Sequence, residues 1–486
     1  MTNEEQSTSR INDIEYYYNV LITNNSGDKQ VVLTQDAIKL LVIEDCVDDP
    51  FINGYIIVDN SNNALQRRYK VDGEVIEEQF DFNLSDKDFL YVEVVPKIYD
   101  KQKKDDINSK VWNLRYIFTI YDIEDYDSED VLGNLKKLYL MDAQKYELLN
   151  RTSNFSTALL QKSDIPNYLR DDEDRTETTG KCIREIIRGS VNAVFDKDWD
   201  EGGNKVFYTS PANATYLDDL QYFIEIHQSS VTDDFCILSK ERYTEMWYLE
   251  PFEVIVSKSL DQNNKNKSGE YLMEAFIIVD TADMPKIPYK SRVPTDFGVA
   301  GNVSFGDLSK IEKFRMFDVS KYDVSEEINT RVAHSYDFKN GKFKIQHHDI
   351  SDIKKFYDEK YVGKLLSQTS LFEVSNIQKE NKKIRYSYGC SYQEDTKFEF
   401  LTRNDVLKSQ YMLGVGIEFS LTGMTNRQAG KFFSIRKEHN YYDNTYEGKL
   451  QGIWFCTSVT HVFTGTSYSN DIVGIKLNLS GKKKTS

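Results

Sequence analysis

The chain has 486 residues, 78 of them acidic and 61 basic, with a formal net charge of −17 at neutral pH. That length exceeds what one hydrophobic core normally serves, so roughly two to four domains are expected. The acidic balance argues against a sequence-independent binder of phosphate backbones, which needs a basic surface.

Apolar content of 40 %, with 27 Phe and 32 Tyr, is ample for globular cores, and 8 Pro with 24 Gly excludes a fibrous or low-complexity chain. The opening MTNEEQSTSR is polar. No apolar run approaches the roughly 20 residues of a membrane span, so no membrane insertion is expected. Cys46, Cys182, Cys236, Cys390 and Cys456 lie far apart without a CxxC. They read as buried thiols of a reducing compartment rather than as disulfides or a zinc site.

The expected fold is mainly β with an inserted α/β segment. Residues 1–150 carry short runs rich in β-branched and aromatic residues at Tyr16–Thr23, Gln30–Thr34, Leu40–Ile43, Gly54–Val58, Phe89–Val95, Asn113–Tyr121 and Lys136–Met141. Seven short strands separated by Asn, Asp, Gly and Ser predict a small barrel or sandwich. Within 151–260 the period changes. Ile183, Ile186, Ile187 and Val191 have helical spacing, and a second amphipathic helix is predicted from Thr215 to Gln228. It carries Leu217, Leu220, Phe223, Ile224 and His227 on one face and turns Asp218, Asp219 and Glu225 away. Strands at Phe235–Leu238 and Tyr243–Leu249 close this segment.

Residues 261–400 are β-rich with a weakly helical 351–369. They begin with the polar run DQNNKNKSGE (261–270), which lacks the Gly and Glu that a calcium loop needs. Residues 401–486 form a second β-rich unit with strands at 414–421 and 432–436 and a long final hairpin. In that hairpin Ile453, Phe455, Thr457, Val459, His461 and Phe463 share one parity, while Trp454, Cys456, Ser458, Thr460 and Val462 share the other. Alternation of this kind predicts a strand covered on both faces. Parity sets His461 and Cys456 on opposite faces, which excludes a thiolate–imidazole pair within the strand and makes His461 structural.

Other chemical motifs are incomplete. Asp296-Phe297-Gly298 matches a kinase tripeptide without its catalytic loop. Gly414-Val415-Gly416 leads into another strand, so it sets no helix against a phosphate. His347-His348-Asp349 is the best metal candidate, but neighbouring strand side chains diverge, so it needs loop geometry and remote ligands; a solvated turn is expected. Asp171-Asp172-Glu173-Asp174 reads as an exposed charged loop. No catalytic residue, cofactor-binding residue or metal ligand is therefore assigned. The expectation is a structural protein without cofactor.

Several stretches resemble a known family. Tyr446, Gly448-Lys449-Leu450-Gln451-Gly452, Trp454, Val459 and His461, with the returning hairpin, resemble the end of baseplate hub proteins of contractile-tailed phages, relatives of VgrG-type spike proteins. Ile417–Lys437 resembles the strand pair before that hairpin. Arg175, Gly180, Ile183, Ile186-Ile187, Ser210-Pro211, Leu217-Asp218-Asp219-Leu220 and Cys236-x-Leu238 resemble the helix and small domain after the hub's first barrel. Asp48-Asp49-Pro50-Phe51-x-Asn53-Gly54 resembles that barrel itself.

The resemblance implies two tail-tube-like barrels per chain, at 1–150 and 401–486, and a homotrimer whose six barrels match the sixfold tube to a trimeric spike. It further implies contacts with tail tube, spike and baseplate wedge proteins, passage of DNA through the lumen without specific binding, and a place in the virion after assembly in the host cytoplasm. The alternatives are another tail component (a tube terminator or wedge), a carbohydrate-binding receptor protein with an exposed aromatic platform, or a hydrolase using two carboxylates.

Overall fold

A computed structural model of the protein describes residues 14–98, 114–160, 176–260, 272–278, 310–318, 328–349, 383–391, 404, 415–437 and 452–476, apart from short gaps inside these ranges. The N-terminal strands are β1 (Ile14–Thr23), β2 (Gln30–Leu33), β3 (Ile38–Cys46), β4 (Asp49–Asp59), β5 (Gln66–Val71), β6 (Glu74–Gln79), β7 (Phe89–Ile98), β8 (Leu114–Ser128) and β9 (Val131–Asp142). All seven predicted runs are strands, most of them longer than expected. The β5–β6 hairpin, rich in charge and without an apolar face, went unread. In β1 the side chains of Tyr18, Val20 and Ile22 are buried while Asn19 is exposed, the two-residue period of a strand with one covered face.

These strands pair antiparallel in the order β3-β4-β9-β8-β7-β1-β2. Their inward side chains form one buried cluster, among them Val20, Leu33, Leu41, Ile56, Val92, Phe118 and Leu140. A sheet whose every strand feeds one core is curled around it.

The middle segment holds the predicted mixture. It comprises α1 (Ala143–Asn150), β10 (Glu177–Thr178), α2 (Thr179–Ser190), β11 (Val194–Phe195), β12 (Lys205–Val206), α3 (Tyr216–Ile226), β13 (Cys236–Lys240), β14 (Met246–Pro251) and α4 (Phe252–Leu260). Thr215 starts α3 through a capping box with Asp218, each side chain bonding the other's backbone N–H. Leu217, Leu220, Phe223 and Ile226 of α3 pack with Ile183, Ile186, Ile187 of α2 and Trp247 of β14 in a second core.

Asp219 departs from the expectation that it faces solvent. It is fully buried, and its carboxylate accepts from the Ser153 hydroxyl, from Tyr208 at 2.6 Å and from Ser210 at 3.1 Å. Helical spacing marks a face but cannot show that two neighbouring loops, at Ser153 and at Tyr208–Ser210, supply three donors to a carboxylate beside it.

The C-terminal strands are β15 (Leu272–Ile278), β16 (Lys310–Ile311), β17 (Phe314–Asp318), β18 (Ile328–Asp337), β19 (Lys342–Asp349), β20 (Lys383–Ser391), β21 (Val415–Thr422), β22 (Phe432–Lys437), β23 (Gly452–Thr464) and β24 (Ser467–Lys476). β19-β18-β20 form a sheet of their own. The order β16-β15-β22-β23-β24-β21-β17 surrounds a third core of Phe276, Phe419, Phe433, Trp454, Val459 and Ile472. The predicted runs 261–270 and 351–369 lie outside the described residues.

Two β-rich units were expected as separate barrels. Two β cores are present, but both lie on one 14-stranded sheet, joined where β23 pairs β3 from Ser458↔Cys46 to Phe463↔Leu41. Among the described residues no pairing closes β2 back onto β3, which the 3-10 turn Gln35–Ala37 links directly in sequence.

Phe463 carries the C-terminal hairpin into the N-terminal core. It is fully buried, 5.1 Å from the Tyr18 ring and stacked at 4.3 Å on Tyr468. Phe463→Ala is expected to lower unfolding free energy by about 3–5 kcal/mol, the range for a buried Phe truncation, whereas Thr464→Ala at the exposed hairpin end should stay within about 0.5 kcal/mol. Urea unfolding of both variants measures the difference.

Candidate functional site

The polar chemistry of the β region gathers where β23 crosses from one core to the other. Gly452–Phe455 pair with β22, Ser458–Phe463 pair with β3, and β24 runs along the opposite edge of the strand. At the changeover the ladder with β24 shifts: Cys456 faces Gly474 while Ser458 faces Val473, leaving Thr457 as a bulge. The extra residue reverses parity, so Trp454, Cys456 and Val459 line the same core.

The expectation that Cys456 and His461 lie on opposite faces assumed an unbroken strand and is overturned here. No dyad results, because their partners differ. The Cys456 Sγ lies 3.5 Å from the Ser458 carbonyl, and burial pushes this thiol well above its ordinary value, which keeps it protonated and inert.

His461 is 2 % exposed, and its Nδ1 lies 2.7 Å from the Tyr468 hydroxyl and 3.0 Å from Asn470 Nδ2. Asn470 Oδ1 in turn accepts from Met424 N–H at 2.6 Å and from Arg427 Nη1 at 3.0 Å. Arg427, fully buried in the β21–β22 connection, also donates to the Thr422 carbonyl and lies 5.5 Å above the Phe276 ring. Burial pushes His461 down to about 4; the Asp45 carboxylate opposes that and the Arg427 and Arg242 guanidiniums add to it. The ring is therefore neutral at pH 7 and hydrogen-bonded, as a structural histidine should be.

Asp45 stands opposite Val459 on β3 and ties three parts of the chain together. Its Oδ1 accepts from Arg242 Nη2 at 2.5 Å and its Oδ2 from Ala429 N–H at 3.1 Å, while Arg242 Nη1 donates to the Pro50 carbonyl at 3.1 Å. Arg242 comes from the β13–β14 connection, so this pair fastens the α/β segment to the sheet. Burial alone would push the guanidinium down, but the Asp45 carboxylate, with Asp142 and Tyr116 adding to it, holds the group above its ordinary value. Phe252 of α4 adds an apolar contact, 5.2 Å from the Phe455 ring on the other face of β23.

Among the described residues, the remaining sequence candidates lie on other strands. His347 and His348 sit on β19, opposite Val332 and Arg331, and not in a turn. Gly416 belongs to β21, paired with Phe317, away from any helix start. Asp171–Asp174, Asp296–Gly298 and Gly414 lie outside the described residues. Among the described residues one set of donor atoms does converge as a metal site would require, Asp200, His227 and Cys236 in the α/β segment. Sequence reading missed it because loops and α3 separate its members and no spacing rule links them.

No family model matches the chain, and no curated protein sequence matches it. Solved structures do. A tail protein from Neisseria meningitidis MC58 is 8 % identical, with 95 % of this chain and 97 % of that chain covered at a TM-score of 0.47. The 43 kDa tail protein of prophage MuSo2 from Shewanella oneidensis is 8 % identical over 95 % of this chain and 100 % of its own, with a TM-score of 0.43. A chain of the lidded Francisella PdpA-VgrG complex is 9 % identical, with a TM-score of 0.44; 98 % of this chain is covered, which spans 55 % of that chain. The structural neighbours are phage tail and baseplate proteins and chains of VgrG complexes.

Two outcomes test the junction. Removing Arg242 strands a buried carboxylate, so Arg242→Ala should cost about 3–5 kcal/mol, while the double variant Asp45→Asn/Arg242→Met recovers most of that loss. Thermal and urea unfolding of the three proteins checks this. For His461, the unfolded chain binds the extra proton below pH 6.5 and the folded chain only below about 4. Its stabilising contribution is complete above 6.5 and falls as pH drops through that window, since there the unfolded state holds more protons. Between about pH 7 and about pH 5, wild type should therefore lose roughly 2 kcal/mol more than His461→Gln in denaturant titrations at both pH values.

Proposed function

We propose that the protein is a structural virion component, a baseplate hub adapter that joins a sixfold tail tube to a trimeric spike and lines the genome channel. The observation that carries the reading is the shared strand β23: one chain presents two curled β units side by side, held in fixed relation by a continuous ladder. Three such chains would present six units, the simplest adapter between threefold and sixfold partners. The motif residues that resemble the hub family occupy packing positions in this frame. Trp454 and His461 are buried on β23, and Ile183, Ile186 and Ile187 form the buried face of α2.

An exposed apolar row gives the assembly a surface. Val32 on β2, Leu21 on β1, Tyr91 on β7 and Ile117 on β8 lie in register across four strands, with Val32 70 %, Tyr91 38 % and Ile117 44 % exposed. A row of this kind on an outer sheet face favours a protein neighbour. Tail tube, spike and wedge proteins are the partners in this reading. A net charge of −17 per chain suits a lumen through which DNA slides without adhering. Catalysis has no part in it, and the place of work is the virion tail after assembly in the host cytoplasm.

The solution mass tests the reading. Light scattering should give about three times 56.6 kDa, and the purified trimer should seed polymerisation of its tail tube protein. A chain that stays monomeric at micromolar concentration and seeds nothing would remove the hub assignment. The triple variant Val32→Asp/Tyr91→Asp/Ile117→Lys should remain folded by circular dichroism yet run as a monomer; persistent trimers would show that another surface makes the contact.

A further inference from the structure

The α/β segment packs its helices around a second polar centre that the hub reading does not use. Asp200 lies in the loop after Trp199, His227 caps the C-terminal end of α3, and Cys236 opens β13. One ligand atom from each falls within 4.8 Å of the others. His227 is fully buried, and its Nε2 has no hydrogen-bond partner, lying 3.9 Å from Asp200 Oδ2. Its other nitrogen, Nδ1, is 2.8 Å from the Thr179 hydroxyl.

We propose that Asp200, His227 and Cys236 bind a divalent transition-metal ion of the zinc type as a structural site. The donor set fits that ion: a thiolate, an imidazole and a carboxylate are common zinc ligands, whereas calcium and magnesium take oxygen. Ligand atoms around a tetrahedral zinc stand about 3.3–3.6 Å apart, so the imidazole and carboxylate need approach by roughly half an ångström. The hydrogen bond from Nδ1 to a fixed hydroxyl is the outer contact that sets the tautomer of a ligating histidine and aims Nε2 at the metal.

The carboxylate is oriented in the same way. Asp200 Oδ1 accepts from Gly202 N–H at 2.9 Å and the Ser230 hydroxyl at 2.7 Å, and Oδ2 accepts from Ser230 N–H at 3.0 Å. Binding exchanges the Cys236 thiol proton to solvent and leaves thiolate, carboxylate and dication summing to zero charge inside the fold. The three side chains leave a fourth position, which a solvent molecule would have to fill.

The loop that delivers Asp200 is shaped for this approach. Gly203 adopts φ +88°, and a Cβ there would lie 2.5 Å from the Thr179 hydroxyl and 2.8 Å from His227 Nδ1; a Cβ on Gly180 would lie 2.0 Å from the Asp200 carbonyl. Two glycines thus bring the loop against the first turn of α2. The ion would tie that loop, the end of α3 and the start of β13 together. The inference is independent of the assignment as a hub.

The experiment uses the full chain. After chelation, titration with Co2+ should show one equivalent bound, with thiolate-to-cobalt charge transfer in the near ultraviolet and the intense visible bands of a four-coordinate ion. Zn2+ should displace it and raise the melting temperature. Cys236→Ser should lose the charge-transfer band, while Cys182→Ser, a buried cysteine of the same core, should keep it. Wild type that takes up no Co2+ with a thiolate band, or a Cys236→Ser variant that retains the band, would overturn the proposal. In either case Asp200 and His227 would be neighbours 3.9 Å apart beside an inert thiol, with no ion between them.

Discussion

The division of β23 between two partners is the constraint on which the rest depends. A strand has two hydrogen-bonding edges, and β24 takes one of them from Trp454 to Thr464. The other edge is split, with β22 on the first residues and β3 on the last. The bulge at Thr457 marks the split: the inserted residue increases local twist and lets the strand leave one sheet direction for another. It also keeps the inward face inward. Without it Trp454 and Val459 could not serve the same core, and Phe463 could not reach the next one.

The buried charges around this strand follow from its position. Where three segments meet, backbone groups at the ends of β3 and in the β21–β22 connection lack ladder partners, and apolar side chains cannot satisfy them. Asp45 and Arg427 do so, the first accepting from Ala429 N–H and the second donating to the Thr422 carbonyl. Each ion carries a desolvation cost, so the net stabilisation by the Asp45–Arg242 pair is small. Geometry is what it contributes. A carboxylate with two directed partners admits one arrangement of β3, the β13–β14 connection and residues 427–429, whereas a greasy contact tolerates several.

Much of the fold was legible because period and burial coincide in it. The strands from β1 to β9 that feed a core, the α2 and α3 helices and the final hairpin all show their period in the sequence. Misses have physical causes. In the β5–β6 hairpin, QRRYKV and EVIEEQ, charged residues fall on both parities, and α1 has no strong apolar face, so neither carries an amphipathic signal. A bulge is invisible to a parity argument, which is why Cys456 was set on the wrong side of β23. His461 was read correctly, as buried and neutral, from its aromatic and β-branched neighbours. The convergence of Asp200, His227 and Cys236 was illegible, since a turn, a helix cap and a strand start supply one residue each.

Pairing between β3 and β23 closes a loop of more than 400 residues, with Cys46 and Ser458 in contact across a separation of 412. Such contacts form late, because the entropy of closing the loop is lost before the ladder repays it. Until then β3 is an open edge beside a formed N-terminal sheet, a template for unwanted pairing. The sequence of β3 answers this. Lys39 and Glu44 are exposed on it, and Asp45 would be an uncompensated carboxylate at that edge until Arg242 and residue 429 arrive. A foreign strand would have to bury Asp45 without those donors, at a cost of several kcal/mol. The same carboxylate that positions the native junction thus penalises its substitutes, and the edge stays available for β23.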